Sequence, residues 1–441
     1  MKEKTKRQKA IIRRRIFIAV LAVLLAVVMA LLSVIIGAIV NNSNSKSDDN
    51  NSQQQSGNDS DIVSSEETKK EITATVLNTG DILIHENVLN GARQDDGSYS
   101  FANFYKIARS YVTAADYSVA NLEVTLGGDE AGNYRGYPSF NTPDSLLDYI
   151  KADGFDMLLT ANNHSLDTGL AGLKRTVQQI KKVGLDFLGT KETSNDPTYL
   201  IKDINGIKIG MVCYTYGTNS AASGAGELIN YFSSANLPTF YTEAQTIIDD
   251  MKQNGAEAIV FYMHWGNEYQ TTPNTYQKAA AQQLCNMGVD VIVGAHPHVL
   301  QPIELIYSED SQNTTVCLYS MGNSISNQRI SEMTGVCETG HTEDGVLFSY
   351  TFTKDKDGEV SLTAVDIIPT WVDRWGTSGD YQYTMYPLES ADMANSYELD
   401  DATAKAAKAS YERTKQIIAA GLTECQQYLG CEIRFTEQVS D

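Results

Sequence analysis

The chain has 441 residues, of which 42% are hydrophobic and 20% charged, so it is too well mixed to be disordered throughout. Its net charge is −21, and the balance is uneven: residues 1–15 carry eight Lys/Arg against one Glu, a local +7, which leaves the remainder near −28. A body this acidic has no general positive field for phosphates, which argues against nucleic acid as the main partner.

Residues 16–40 run for twenty-five positions without a charge. As a helix at about 1.5 Å per residue they would cross a ~30 Å hydrocarbon core with some tilt. The run is longer than a signal-peptide core, and no small-residue cleavage site follows it. The reading is a single-pass membrane anchor preceded by a basic cytoplasmic segment, residues 1–15. Arg13, Arg14 and Arg15 abut the run and hold that end inside the cell, so the rest of the chain is expected outside. Residues 41–70 are almost free of apolar groups until their end and read as a disordered tether.

From residue 71 to 370, short β-branched runs alternate with amphipathic stretches. Strand-like runs fall at 72–80, 117–126, 155–163, 207–215, 256–266, 289–296 and 315–323. Helical spacing marks 145–152, 170–182 and 276–287, with Thr142-Pro143-Asp144 as a helix start. This alternation predicts a layered α/β fold with a largely parallel core. The runs at 345–353 and 362–370 follow one another without a helix and read as antiparallel additions at a sheet edge. Residues 371–441 are expected to form a helical extension, with a helical pattern over 400–427. The six cysteines include no CxxC pair; Cys213, Cys285 and Cys317 lie in apolar runs and read as buried hydrophobes, while Cys425 and Cys431 are near enough in sequence to pair.

Five of the six histidines, His85, His164, His264, His296 and His298, lie at or just beyond the C-terminal ends of strand-like runs, where α/β folds gather their sites. His341 stands apart. Their neighbours suit metal ions: Asp81 precedes His85, Glu123 ends the second run, and Asn163 and Asp167 flank His164. Carboxylates and imidazoles on separate loops can hold two divalent ions ~3.5–4 Å apart with one carboxylate shared. Manganese, iron or zinc would suit such donors. Asp167 is a candidate to orient His164, and Glu268 a candidate to contact an amine or cation.

The segments TGDILIH (79–85), NLE (121–123), ANNHSLDTG (161–169), HWGNEY (264–269), GAHPHVLQ (294–301) and YSMGN (319–323) resemble, in order and spacing, the CapA family of poly-γ-glutamate capsule synthesis proteins. That domain in turn resembles calcineurin-like metallophosphoesterases, which implies a two-sheet sandwich flanked by helices. The resemblance implies that Asp81, His85 and His298 bind one metal, that Glu123 bridges, and that Asn163, His264 and His296 bind a second. It implies a proton-donating or substrate-contacting role for His164 and a substrate contact near Asn323. Two departures are visible: three residues separate Asp81 from His85 where the phosphoesterases have one, and the bridging acid is Glu rather than Asp.

Two functions follow as expectations. One is a membrane-tethered, outward-facing dimetal hydrolase that cleaves a phosphoester or amide in a cell-envelope molecule. The other is a non-catalytic subunit that binds the anionic polymer, or links it to membrane-bound synthase subunits, during export and surface retention. The acidic body repels polyanions unless bound cations make the cleft locally positive.

Overall fold

The computed structural model describes residues 70–435; the expected anchor at 16–40 and most of the tether lie outside the described residues. No helix among the described residues is long and apolar enough to cross a membrane.

Fourteen strands are described. They are β1 (Ile72–Ile82), β2 (Tyr117–Leu122), β3 (Met157–Leu159), β4 (Asp186–Leu188), β5 (Tyr199–Ile204), β6 (Ile207–Thr215), β7 (Ala258–His264), β8 (Val291–Ala295), β9 (Leu300–Tyr307), β10 (Thr314–Met321), β11 (Asn323–Ile325), β12 (Asp344–Lys354), β13 (Val360–Thr377) and β14 (Asp380–Pro387). Seven α-helices accompany them: α1 (Glu86–Ala92), α2 (Arg109–Val112), α3 (Ser145–Ala152), α4 (Gly169–Val183), α5 (Leu237–Gln253), α6 (Thr275–Asn286) and α7 (Asp401–Leu429).

One sheet has the order β14-β13-β12-β1-β2-β3-β4, with β11 paired to the end of β1; the other has the order β5-β6-β7-β8-β10-β9. Within the first, β1 to β4 are parallel and β12, β13 and β14 add antiparallel strands. Within the second, β6, β7, β8 and β10 are parallel, and β5 and β9 flank them antiparallel. Val76, Val119 and Met157 of the first sheet share one core with Met211, Val260, Val293 and Leu318 of the second, so the sheets pack face to face.

Helices cover both outer faces. On the first sheet, Ile180 of α4 and Leu146, Leu147 and Ile150 of α3 pack with Leu77, Ala120 and Leu158. On the second, Phe240, Ala244, Ile248 and Met251 of α5 and Ala281 and Leu284 of α6 pack with Phe261 and Ile292. The spacing of these positions, three or four apart, is the helical period that puts them on one face. The architecture is therefore the layered α/β fold that the strand and helix pattern predicts, in the form of the two-sheet sandwich with flanking helices that the family resemblance implies.

The C-terminal region differs in part from a helical extension. β13 continues to Thr377 and β14 extends the first sheet before any helix begins. The third helix also starts differently: Asp144, not Thr142, is its N-cap, and its carboxylate is taken by Arg175 at 2.7 Å rather than by helix amides. α7, capped by Asp400 accepting from Ala402 and Thr403 N–H groups, lies against β13 and β9 of both sheets, closing one edge of the sandwich. Arg413 grips Asp344 at the start of β12 with two bonds of 2.8 and 2.6 Å, and Gln426 donates to Val365 O. All six cysteines are free; Cys425 is buried in the core and Cys431 half-buried beside it in the chain.

Candidate metal centre

The register of the sheets brings the polar segments together. Asp81 pairs with Asn121, one residue from the end of β2, and His264 at the end of β7 pairs with Ala295 at the end of β8. Parallel strands all end on the same side, so their following loops face one cleft.

Gly80 lets Asp81 turn into that cleft. A Cβ there would meet Gly322 O at 1.9 Å, so only glycine permits β11 to approach and pair Asp81 with Asn323. The β1 register shifts at this point, between Thr79 and Asp81. Gly294 acts similarly before the histidine pair, since its Cβ would strike Tyr319 O at 1.9 Å. His296 and His298 then adopt φ of +99° and +56°, a conformation that non-glycine residues hold only when the surroundings enforce it. Tyr269, also at positive φ, donates its N–H to Pro297 O and so ties the two loops.

The side chains meet in two groups that share one carboxylate. Asp81, Glu123 and His298 form one; Glu123, His264 and His296 form the other, with the ligand atoms of each group all within 4.8 Å. Asp81 Oδ2 lies 3.0 Å from His298 Nδ1. Glu123 Oε1 lies 3.6 Å from His264 Nε2 and 3.8 Å from His298 Nε2. Asn163 joins the second group through its Oδ1, 2.7 Å from His264 Nε2. All six of these residues are buried to within a few per cent.

His85 stands next to the cleft but in neither group. Its Nδ1 accepts the N–H of Asn327, and its ring meets Phe140 edge-on at 5.5 Å. His164 Nδ1 lies 2.7 Å from Asp167 Oδ2, which also accepts the Phe140 N–H at 2.7 Å. Glu268 is exposed, close enough to Glu123 to perturb its charge. Asn323 is buried, with its Nδ2 donating to His298 O, Gln328 Oε1 and Thr342 O, so that amide steadies the His298 backbone.

Electrostatics favour a cation here. Burial, then the neighbouring Asp81, push the Glu123 carboxyl well above the usual carboxylate range. Burial and neighbouring histidines hold His264 and His296 well below the usual imidazole value, and burial with His298 brings His85 down to about 3. Neutral imidazoles with free lone pairs are what a metal requires. Glu123 Oε1, Asn163 Nδ2, His264 Nδ1 and His296 Nδ1 are buried without a hydrogen-bond partner. Among the described residues, the ion pairs of Asp81 and Glu123 are all with histidines. Two buried carboxylates among neutral imidazoles leave charge uncompensated, and divalent ions would supply the balance. The donor set fits borderline divalent metals.

Several neighbours escaped the sequence reading. Asn121 Nδ2 bridges Asp81 Oδ1 (2.7 Å) and Glu123 Oε2 (3.3 Å), holding the two carboxylates together. It stands two residues before Glu123, a spacing that could have drawn notice. Asn219 reaches His164 Nε2 at 3.4 Å, Tyr216 packs 4.6 Å from His296, and Phe140 packs 4.8 Å from His164. These three come from irregular loops with no periodic signal.

Comparison with known proteins gives three findings. Residues 75–328 match the family described as bacterial capsule synthesis protein PGA_cap. The chain is 29% identical over 293 residues to the PGA biosynthesis protein CapA of Bacillus subtilis (strain 168), covering 65% of this chain and 70% of that one. It is 27% identical over 258 residues to the capsule biosynthesis protein CapA of Bacillus anthracis, covering 58% and 60%. Among solved structures, the NAD nucleotidase NadN of Haemophilus influenzae aligns with a TM-score of 0.42 at 16% identity, over 79% of this chain and 68% of that one.

Proposed function

Since the chain belongs to the bacterial capsule synthesis protein family PGA_cap, we propose that it serves capsule biosynthesis as a membrane-anchored, outward-facing hydrolase with a two-metal site. The observation that carries this reading is the pair of buried ligand groups joined at Glu123. Asp81, Glu123 and His298 would hold one divalent ion, and Glu123, Asn163, His264 and His296 the other. Bound there, such a pair supplies a water of lowered pKa and stabilises an anionic transition state.

The chain's own residues supply the rest. Asp167 takes the proton-bearing Nδ1 of His164 and leaves Nε2 to exchange a proton with a leaving group. The Phe140 amide fixes Asp167, and the Phe140 ring shields one side of the imidazole from water. Asn121 keeps both carboxylates aimed inward. The substrate class is a phosphoester or amide of the cell envelope, and the chain would work beside membrane-bound synthase subunits, with residues 16–40 as the anchor. The two CapA relatives, named for capsule and PGA biosynthesis, support the setting.

The test uses the full chain purified in detergent. Metal is counted by elemental analysis, and hydrolysis of a generic phosphodiester and of poly-γ-glutamate is followed, with Asp81→Ala and His164→Ala alongside. Turnover that both substitutions abolish supports the hydrolase. Bound metal with no turnover on either substrate would instead support a polymer-binding subunit.

A further inference from the structure

We infer that the cleft takes a zwitterionic substrate. Its anionic group lies over the metal-ligand floor, and an ammonium group of the same molecule is held at the mouth by Glu268, with Tyr216 and Tyr269 beside it. This deepens the dimetal reading above and rests on it.

The two ends of the cleft differ in charge. Asp81 and Glu123 bring two negative charges to the floor, beside the neutral His264 and His296. Two divalent ions would bring four positive ones, so the loaded floor attracts an anion. The mouth carries the opposite sign. Glu268 is exposed and lies within electrostatic reach of Glu123, Tyr216 and Tyr269. Among the described residues, no Lys, Arg or His forms an ion pair with it.

An exposed glutamate is ordinarily a solvated surface group, but this one is carried on a pinned loop. The Gly266 N–H donates to Tyr276 Oη at 2.6 Å, the Tyr269 N–H to Pro297 O at 2.8 Å, and Gln301 Nε2 to Gln270 O at 2.8 Å. Tyr269 is held at a φ of +63°, which a non-glycine residue keeps only where its surroundings enforce it. Its hydroxyl hydrogen-bonds to the Glu268 carboxylate and accepts from Gln328 Nε2 at 3.3 Å. A neutral donor therefore places the carboxylate without cancelling its charge, and leaves most of its lone pairs open.

Two aromatic rings join the mouth to the floor. Tyr216 packs 4.6 Å from His296, and Tyr269 packs 6.1 Å from His298. Tyrosine rings and an unpaired carboxylate together attract an ammonium group. A second anion in the same place would be repelled, so the site selects against polyanions as well as for the zwitterion.

The full chain in detergent and its Glu268→Gln variant are loaded with zinc, and the metal is counted. Binding of 2-aminoethylphosphonate and 3-aminopropylphosphonate is then measured by calorimetry against ethylphosphonate and propylphosphonate, which lack only the amine. Phosphonates have no ester to cleave, so binding is read apart from turnover. Because Glu268 is exposed and glutamine keeps an acceptor for Tyr269, the variant should fold. At least one amine should bind the unsubstituted protein roughly five- to thirtyfold more tightly than its amine-free counterpart. That preference should shrink with added salt and fall to within about twofold in Glu268→Gln. Equal binding of both pairs to the unsubstituted protein would overturn the inference. So would a preference that survives Glu268→Gln, or no binding of any of the four. Loss of zinc from the variant would make Glu268 a metal ligand and overturn it too. An unsubstituted protein without zinc ends the dimetal reading and this inference together, and the metal count shows it before any phosphonate is added. Two zinc ions with equal binding of both pairs ends this inference alone.

Discussion

Replacing Glu123 by Gln should change stability in opposite directions with and without metal. Glu123 is fully buried, its Oε1 has no hydrogen-bond partner, and Asn121 holds it beside the equally buried Asp81. Without a cation, two carboxylates share a desolvated pocket. Holding the Glu123 carboxyl well above its usual range costs folding free energy at neutral pH, and a neutral Gln of the same shape should recover about 1–3 kcal/mol of it. At roughly 2 °C per kcal/mol for a domain this large, the metal-free melting temperature rises by about 2–6 °C. With metal the order reverses. An ion at a hundred times its Kd adds about 2.7 kcal/mol to the unsubstituted protein. Two ions that share Glu123 should therefore stabilise it by several degrees more than they stabilise the variant. The assay is calorimetric unfolding of both proteins after chelation and after titration with zinc or manganese. A Gln variant that melts lower without metal, yet gains as much from metal as the unsubstituted protein, would refute this reasoning.

Other perturbations test the same geometry. Asp167→Asn can keep one oxygen facing both the His164 Nδ1–H and the Phe140 N–H, which share Oδ2, but it removes the carboxylate charge beside the imidazole and puts an amide NH2 at the buried, unpartnered Oδ1 position. It should lower kcat by roughly 10²–10⁴ with bound metal unchanged, read from kinetics and elemental analysis. Gly80→Ala drives a methyl into Gly322 O. It should cost more than about 2 kcal/mol in urea unfolding and weaken metal binding as Asp81 shifts, because backbone on both sides cannot yield cheaply. Arg413→Ala strips a fully buried Asp344 of its bidentate partner. It should destabilise by about 3–5 kcal/mol and, by loosening α7, raise proteolysis within residues 401–429.

Sequence pattern reached the core of the fold because parallel strands buried on both faces, such as β6, β7 and β8, are continuous apolar runs bounded by glycine. It missed β4, β5, β9 and β14, which lie at or next to sheet edges. Their half-exposed faces, as in Tyr199–Ile204, give no clear period. The helix α5 was also missed. Pro238 inside its first turn and the loop before it hide the start, although Phe240, Ala244, Ile247 and Met251 keep helical spacing.

At the site, residue type and strand-end position were enough to single out Asp81, Glu123, His264, His296 and His298, which the fold brings together. The position of His85 was not legible. Whether three intervening residues loop inward or carry the ring away depends on where β1 ends and α1 begins. Asn219, Tyr216 and Phe140 reach the histidines from loops whose paths are set by tertiary contacts, such as the Asn219 N–H on Asn163 O at 2.7 Å.

Anomalous scattering from crystals of the full chain grown with manganese or zinc addresses the two-ion claim most directly. Two peaks ~3.5–4 Å apart, one on each side of the Glu123 carboxylate, are the expected result. A single peak, or none within reach of Glu123, would contradict it.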